Sequence, residues 1–475
     1  MCGIIGVIGK KRISELIYFG MLQLQHRGQE AAGIFLYDPQ KNQHIYQKKA
    51  GLVSHLIGND SHFLPSALWG IGHARYSTSG PGLIEDAQPL VLKKENDWLC
   101  IAHNGNLVNY SSMRENLEKK GAVFQTSCDS EAILHLLDQS FPTEGPFFER
   151  LCAAVKEIYK KINGSYSIVG IKTDQGIFAF RDPRGIRPLL FGKGEELFAF
   201  ASETLALSNI GCHAIEDLLP GELIFIDKET NLHRKTLIHR KHAHCCFEFN
   251  YFAKPHTIIE GKEVYSVRSK LGRFLAEKIR KANLEEADAI IPIPETGNVA
   301  GIALAQHLQI PLAEGFTRLP HAGRTFIMAG QENRQGAILQ KLAPIHSVFK
   351  DKTVILVDDS IVRGNVSKRT IFLARRAGAK KIIFASTFPP ILYPCVYGID
   401  FPCQNQLIAS KMTIPEICQE IGADALIYND IQSLKEAIGL NDLCTACLTG
   451  RYPTPIDELK TLQKLRDQDL ALSEL

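Results

Sequence analysis

The sequence predicts two domains in tandem, a layered α+β half followed by an α/β half built on a doubly wound parallel sheet. Three observations predict it. The 475 residues are too many for one ordinary core and suit two or three domains. Residues 1 to about 235 carry short β-rich segments broken by Gly and Ser, with a few helical stretches between them. From about 260 onward the order becomes strand, loop, helix, strand, and the strands are continuous apolar runs, as strands buried on both faces are.

In chain order, GIIGVIG (3–9), AAGIFLY (31–37), DWLCIAHNGNL (97–107), SYSIVGIKT (165–173), GIFAFR (176–181) and LFAFASE (197–203) read as strands of the first half. Helical stretches fall around Glu115–Lys120 and Asp129–Gln139. The boundary falls near 230–260, in a polar stretch rich in histidine from His233 to His244, so the domains are expected at 2–235 and 245–475. In the second half ADAIIPIP (287–294) is a strand, ETG (295–297) a break and NVAGIALAQHL (298–308) a helix. TVILVDD (353–359) is a buried strand, SIVRGNV (360–366) a loop, SKRTIFLARRAGA (367–379) a helix and KIIFAST (381–387) a further strand.

Composition excludes several classes. Lys and Arg number 54 against 51 Asp and Glu, and a net charge of +3 argues against a nucleic-acid or membrane-surface protein. No apolar run reaches the ~18 residues of a membrane span. The N-terminal run lacks a positive region ahead of it, so no signal peptide is expected and the chain reads as cytoplasmic. Its 12 cysteines are then reduced, and serve as buried thiols, metal ligands or nucleophiles.

Cys2 follows the initiator Met, and is small enough for Met removal to leave an α-amine beside the thiol. That amine, with a reference pKa near ~8, can act as general base for its own side chain; the plain alternative is an ordinary thiol. Three motifs punctuate this half: His26-Arg27-Gly28-Gln29-Glu30, Gly72-His73-Ala74-Arg75-Tyr76-Ser77-Thr78 and His103-Asn104-Gly105-Asn106-Leu107. Asp129-Ser130-Glu131 then opens a helix. Together they resemble the N-terminal-nucleophile glutamine amidotransferase domain over roughly residues 2–230.

The resemblance implies a four-layer α-β-β-α sandwich in which Cys2 attacks the side-chain amide of glutamine. Asn104 and the Gly105 N–H would hold the oxyanion, Arg75 the substrate α-carboxylate and Asp129 its α-ammonium, while Arg27 closes the pocket. Singly, each has a plainer reading. Arg75 could be a surface ion-pair partner, Asp129 a helix N-cap and Asn104-Gly105 a type I′ turn. The set in order favours the catalytic reading.

In the second half, the strand ending in Asp358-Asp359 is followed by Ser360-Ile361-Val362-Arg363-Gly364 and a helix. Paired carboxylates accept from ribose hydroxyls, and the N–H groups at a helix start bind phosphate. This run resembles the phosphoribosyl pyrophosphate motif of type I phosphoribosyltransferases. Pro292-Ile293-Pro294-Glu295-Thr296 is similar to their pyrophosphate loop, and Arg324-Thr325-Phe326-Ile327 to the start of their flexible loop. With the first half, the whole chain resembles the amidophosphoribosyltransferases.

That family makes 5-phosphoribosylamine, glutamate and pyrophosphate from glutamine, water and phosphoribosyl pyrophosphate, in the first step of purine synthesis. The resemblance implies phosphosugar contacts at Asp358, Asp359, Ser360, Arg363, Gly364, Asn365, Arg324 and Lys341. It implies Mg²⁺ beside Thr296, Asp358 and Asp359, a homo-oligomer (dimer or tetramer) and feedback by purine nucleotides. Cys245, Cys395, Cys444 and Cys447 match the ligands of the [4Fe–4S] cluster in one branch of the family. Four cysteines also fit zinc, and spacing does not separate the two. Cys246 is a possible substitute for Cys245, and Cys100, Cys152 and Cys212 read as buried apolar thiols.

The chain also departs from the pattern. The phosphate loop reads Arg363-Gly364-Asn365-Val366 where the family has Arg-Gly-Thr-Thr, and Gly297 replaces a Ser. The flexible loop opens Arg318-Leu319-Pro320-His321 in place of Lys-Asn-Arg-Tyr, and Leu339 replaces an Arg, while Arg334 remains. These departures leave open two other functions: a paralogue that aminates another phosphosugar, and a non-catalytic nucleotide-sensing protein.

Overall fold

The computed structural model describes residues 1–57, 65–76, 84–94, 97–318, 342–401 and 403–458. Ser77, Thr78, Leu319, Pro320, Arg324, Arg334, Leu339 and Lys341 lie outside the described residues.

Among the described residues, the first half holds thirteen strands in two antiparallel sheets. They are β1 (Gly3–Gly9), β2 (Ala31–Asp38), β3 (Gln43–Ala50), β4 (Trp69–Arg75), β5 (Leu90–Lys94), β6 (Asp97–Leu107), β7 (Gly164–Lys172), β8 (Gly176–Arg181), β9 (Leu190–Lys193), β10 (Leu197–Ala201), β11 (Ala214–Asp217), β12 (Glu222–Asp227) and β13 (Leu232–Thr236). One sheet runs β11-β9-β10-β1-β4-β2-β3, the other β13-β12-β8-β7-β6-β5.

The two-residue period of a strand builds the layers. In β1, Ile4 and Ile8 pack between the sheets with Ala102, Val169 and Ile177. Ile5 and Val7 point the other way, onto Ile17 and Met21 of the helix Ser14–Gln23. β6 alternates in the same manner: Cys100 and Ala102 face the sister sheet, whereas Leu99 and Ile101 face Ile133 and Leu151 of the helices Ser130–Gln139 and Phe147–Lys161. The result is a helix–sheet–sheet–helix sandwich. Gly6 lets the sheets close, since a Cβ there would lie 2.3 Å from Val169.

In the second half four strands, Ala289–Pro292, Thr353–Asp358, Lys381–Ser386 and Ala425–Tyr428, pair in parallel in that order. Leu312 bridges Ile290 on the outer side, also in parallel. Successive residues again face opposite ways, but here both faces are covered. Ile290, Ile355 and Ile383 meet Leu275, Ile279 and Leu304 from the helices Val264–Lys281 and Asn298–Leu308. Ile291, Leu356 and Phe384 meet Ile371 and Ile417 from Asn365–Arg376 and Ile414–Ile421.

With Leu312 outside, the chain order reverses between Ala289–Pro292 and Thr353–Asp358. The crevice at the carboxyl ends of these two strands is the switch point, where open α/β sheets bind ligands. A further apolar core joins the halves. Met1, Val108 and Ile186 pack there with Phe247, Phe388, Tyr397, Cys245, Cys395, Cys444 and Cys447. His244–Cys245 pairs in parallel with Leu443–Cys444, which ties the start of the second half to its far end.

Candidate active sites

Cys2 stands just before β1, the central strand of its sheet, beside Asn104 of β6. Its backbone N–H donates to Asn104 Oδ1 at 3.1 Å, and its Sγ lies 3.5 Å from both the N and the O of Tyr76. Burial is the first cause raising the Cys2 thiol pKa, opposed by the nearby N-terminal amine. Asn104 is fully buried, and its Nδ2 has no hydrogen-bond partner. A buried amide donor left unpaired costs about 1–3 kcal/mol, so this donor is held for something. Gly105 follows, packed so tightly on β7 that a Cβ would lie 2.0 Å from the Ser165 carbonyl.

The plainer readings of these residues meet specific obstacles. Asn104 and Gly105 lie inside β6 and not in a turn. Asp129 is at the N-cap position of Ser130–Gln139 but makes no capping bond; its Oδ2 accepts from the Leu107 N–H at 2.8 Å instead. Arg75 is 5% exposed and pairs with the buried Asp86 at 3.6 Å, so it is no surface residue. Arg27 has a different environment again. Its guanidinium is fully buried, donating to Glu203 Oε1 at 2.5 Å and to both oxygens of Glu248, at 2.9 and 3.3 Å.

At the switch point, Asp358 and Asp359 are both buried. Burial, and then the adjacent Asp359 charge, hold the Asp358 pKa well above the usual carboxylate range; burial also raises Asp359. Thr296 Oγ1 and Ser360 Oγ each donate to Asp359 at 2.6 Å. Adjacent buried carboxylates ringed by hydroxyls are an all-oxygen donor set with excess negative charge, which fits a hard cation such as Mg²⁺. The loop then reaches Gly364, at φ +83°, and the helix Asn365–Arg376. Its first intrahelical bond runs from Lys368 N–H to the Gly364 carbonyl at 2.8 Å, so the N–H groups of Asn365, Val366 and Ser367 have no partner within the helix. Val366 is 50% exposed and Ser367 only 2%.

Cys245, Cys395, Cys444 and Cys447 come together in the core between the halves, all at least nine-tenths buried. Burial pushes the Cys245 thiol up to about 12 and holds Cys444 well above the usual thiol range. Cys246 joins them, its thiol hydrogen-bonded to Cys447. Beside them sits Arg187, fully buried, its Nη1 3.7 Å from Glu248 Oε1 and its charge coupled to Cys245 and Cys395. A buried cation beside the thiols fits a negatively charged metal–thiolate group. Among the described residues, no three His, Cys, Asp or Glu side chains form a set that one ion could gather. Cys100, Cys152 and Cys212 lie apart, each in a different apolar cluster.

Comparison with known proteins decides the family. Over 479 residues the chain is 40% identical to the amidophosphoribosyltransferase of Methanocaldococcus jannaschii, with 97% of this chain and 99% of that one covered. The chain belongs to the amidophosphoribosyltransferase family. It is 35% identical to the amidophosphoribosyltransferase of Bacillus subtilis over 98% of its own length and 97% of that chain. Residues 73–209 match the glutamine amidotransferase domain family. A solved structure described as glutamine phosphoribosylpyrophosphate amidotransferase from B. subtilis, complexed with ADP and GMP, superposes with a TM-score of 0.86 at 34% identity, covering 96% of this chain and 98% of that one. Another, described as the allosteric regulatory enzyme of purine biosynthesis, superposes at 0.88 and 34% over 98% and 99%.

An amidophosphoribosyltransferase is both a glutamine amidotransferase and a phosphoribosyltransferase, and the two halves have those two folds. Among the described residues, no helix is long and apolar enough to cross a membrane. The structure groups Cys2 with Asn104 and Gly105, Thr296 with Asp358, Asp359 and Ser360, and the four cysteines with one another. Sequence reasoning passed over Glu203, Glu248, Arg187, Arg268 and Asn250. Arg268 is buried among backbone carbonyls, donating to Phe249 at 3.0 Å and Ala253 at 2.7 Å, and its charge is felt by Asp359. Asn250 Nδ2 donates to the Asp359 carbonyl at 3.1 Å. The available signal was a lone charge in an apolar run, such as Glu248 in Cys245-Cys246-Phe247-Glu248-Phe249.

Proposed function

We propose that this chain is a glutamine-dependent amidophosphoribosyltransferase that opens purine synthesis, with domains at 2–235 and 245–475. The observation that carries the reading is the unpaired Asn104 Nδ2 beside Cys2: an amide donor buried without a partner is ready for an oxyanion. After Met1 removal the Cys2 amine takes the thiol proton, and the thiolate attacks the glutamine amide carbon. Asn104 Nδ2 and the Gly105 N–H stabilise the tetrahedral oxyanion. Arg75 and Asp129 hold the substrate α-carboxylate and α-ammonium. Collapse releases ammonia, and water cleaves the thioester to free glutamate. Arg27, tied to Glu203 and Glu248, fixes the wall between the halves.

In the second half Asp358 and Asp359 accept from the ribose hydroxyls. The N–H groups of Asn365, Val366 and Ser367 bind the 5′-phosphate at the helix start, with Ser360 and Arg363 beside them. Because backbone donors do this work, the exposed Val366 side chain does not remove the phosphate site. Arg324 and Lys341 are assigned to the closing loop. Ammonia attacks C1 and pyrophosphate leaves; Mg²⁺, when bound by Asp358, Asp359 and Thr296, supplies charge neutralisation of that leaving group. Cys245, Cys395, Cys444 and Cys447 are assigned to a structural [4Fe–4S] cluster. Four buried thiols in one cluster beside the Arg187 cation are the donor set such a cluster takes, and zinc would take the same four. A relative solved with ADP and GMP supports purine nucleotides as regulators, and a homo-oligomer and a cytoplasmic location complete the reading.

The test is a steady-state assay with glutamine and phosphoribosyl pyrophosphate. Glutamate and pyrophosphate are expected to form together, and only when both substrates are present. Glutaminase activity driven by another phosphosugar would favour the divergent paralogue, and silence in both assays the nucleotide-sensing protein.

A further inference from the structure

The peptide of Tyr397 joins the thiol cluster to the strand that carries the oxyanion donors. Its N–H donates to Cys395 Sγ at 3.4 Å. Its carbonyl accepts from Ser165 Oγ at 2.9 Å and from Arg187 Nε at 2.7 Å, with Arg187 Nη2 as a third donor. One residue earlier, the Val396 carbonyl accepts from Asn106 Nδ2 at 3.0 Å. One residue later, Gly398 lies at φ +95°, where a Cβ would stand 2.9 Å from the Gly105 carbonyl and 3.1 Å from its carbon.

These contacts converge on one stretch of sheet. Asn106 and Ser165 are direct partners across β6 and β7, and Gly105 is opposite Tyr166. Every side chain involved is buried, with Ser165 and Arg187 at 0%, Tyr397 at 1% and Asn106 at 2% exposed. A carbonyl with three donors in a dry site holds its place firmly, because no water can substitute for a lost partner. The segment comes from the second half of the chain, yet it lies along the Gly105–Asn106 backbone of the first.

We propose that Val396–Gly398 is a positioning strap for the Gly105 peptide, setting that N–H where the oxyanion of the glutamine intermediate forms. The inference rests on the glutaminase reading of Cys2, Asn104 and Gly105. An oxyanion donor works only within a few tenths of an ångström of its proper distance, whereas ground-state binding of glutamine depends on groups elsewhere. Loosening or displacing the strap therefore lowers kcat and leaves KM alone. A segment that merely packs the halves together would change stability without that split.

The experiment uses the full-length protein with three variants, Gly398→Ala, Ser165→Ala and Asn106→Ala. With phosphoribosyl pyrophosphate present at saturation, glutamine hydrolysis is measured for kcat and KM, Cys2 alkylation by iodoacetamide for the state of the nucleophile, and thermal unfolding for folding. Gly398→Ala is expected to lower kcat about tenfold or more, and the two milder variants about threefold, scaled from the loss of one oxyanion donor. KM for glutamine and the Cys2 alkylation rate are expected to stay within about twofold of wild type, since neither needs the oxyanion site. Cooperatively unfolding variants with unchanged kcat, or a rise in KM at constant kcat, overturn the strap. If Gly398→Ala fails to fold, Ser165→Ala and Asn106→Ala decide by the same split. A wild-type protein that hydrolyses no glutamine, although its Cys2 is alkylated, overturns the glutaminase reading itself and the strap with it.

Discussion

Asn104→Ala separates catalysis from stability at the glutaminase site. The wild-type side chain does two things: Oδ1 accepts from the Cys2 N–H at 3.1 Å, and Nδ2 is buried with no partner. Losing the first costs about 1 kcal/mol, and removing the second relieves about 1–3 kcal/mol of unpaired-donor penalty. The two nearly cancel, so the melting temperature should move by no more than about 3 °C. Catalysis has no such compensation. Deleting one oxyanion donor costs about 2.7–4 kcal/mol of transition-state stabilisation, a fall of about 10²–10³ in kcat. KM for glutamine should hold, because Arg75 and Asp129, the proposed contacts of the substrate, are untouched. Glutamate release, coupled to glutamate dehydrogenase, measures both constants, and synthesis from free ammonia should persist. A kcat within about fivefold of wild type, or a loss confined to KM, would refute the reasoning.

The remaining predictions concern the interface and the second site. Glu248→Ala removes the carboxylate shared by the buried cations Arg27 and Arg187, leaving Arg27 only Glu203, and should cost about 3–5 kcal/mol in thermal or urea unfolding; it should also lower glutamine-dependent transfer more than either half-reaction alone. Asp358→Asn should abolish transfer yet raise the melting temperature in Mg²⁺-free buffer. Burial and the Asp359 charge raise the folded pKa of Asp358, so its contribution to stability is complete below the unfolded value near ~3.9 and is lost as pH rises through the folded one. The advantage of the Asn variant should therefore be clear at neutral pH and vanish in acid, and a gain that persists in acid would exclude this cause. Gly364→Ala combines φ +83° with a Cβ 2.8 Å from Ile408 Cδ1, and should cost about 1–2 kcal/mol. It should raise KM for phosphoribosyl pyrophosphate about tenfold at unchanged glutaminase kcat, whereas an unmoved KM would detach the helix start from phosphate binding.

What the sequence disclosed depended on how far apart the interacting residues lie. The apolar run Gly3–Gly9 is local, and so β1 was legible as a strand before any contact was known. Asp358, Asp359 and Gly364 occupy one strand–loop–helix unit, so their joint placement follows from a few consecutive residues. Asn104-Gly105 could be read locally as a turn, and only the 11-residue strand β6 removes that reading. The polar contacts between the halves were not legible at all. Arg27 reaches a carboxylate 221 positions away, Arg187 a carbonyl 210 away and Asn106 one 290 away. No periodicity links such positions, because each bond joins residues from different halves of the chain.

That docking chemistry is itself informative. A buried guanidinium–carboxylate network is a weak source of stability, since apolar side chains of the same volume generally do as well or better. Its presence between the halves therefore needs a reason other than adhesion. Hydrophobic burial has no direction and lets two surfaces slide; the bidentate grip of Glu248 on Arg27 does not. Glu203 extends the grip from the other side, accepting from the Lys254 N–H at 3.2 Å and Thr257 Oγ1 at 2.7 Å as well as from Arg27. Direction matters where one half must release ammonia and the other must receive it, because a neutral amine that strays into water is protonated and lost as a nucleophile. Polar registration of the halves, filled in by the apolar core around Tyr397 and Phe247, fixes the two centres with respect to each other before either substrate arrives. On this reasoning the interface is part of the catalytic apparatus, and a substitution such as Glu248→Ala acts on coupling through geometry while leaving each centre its own chemistry.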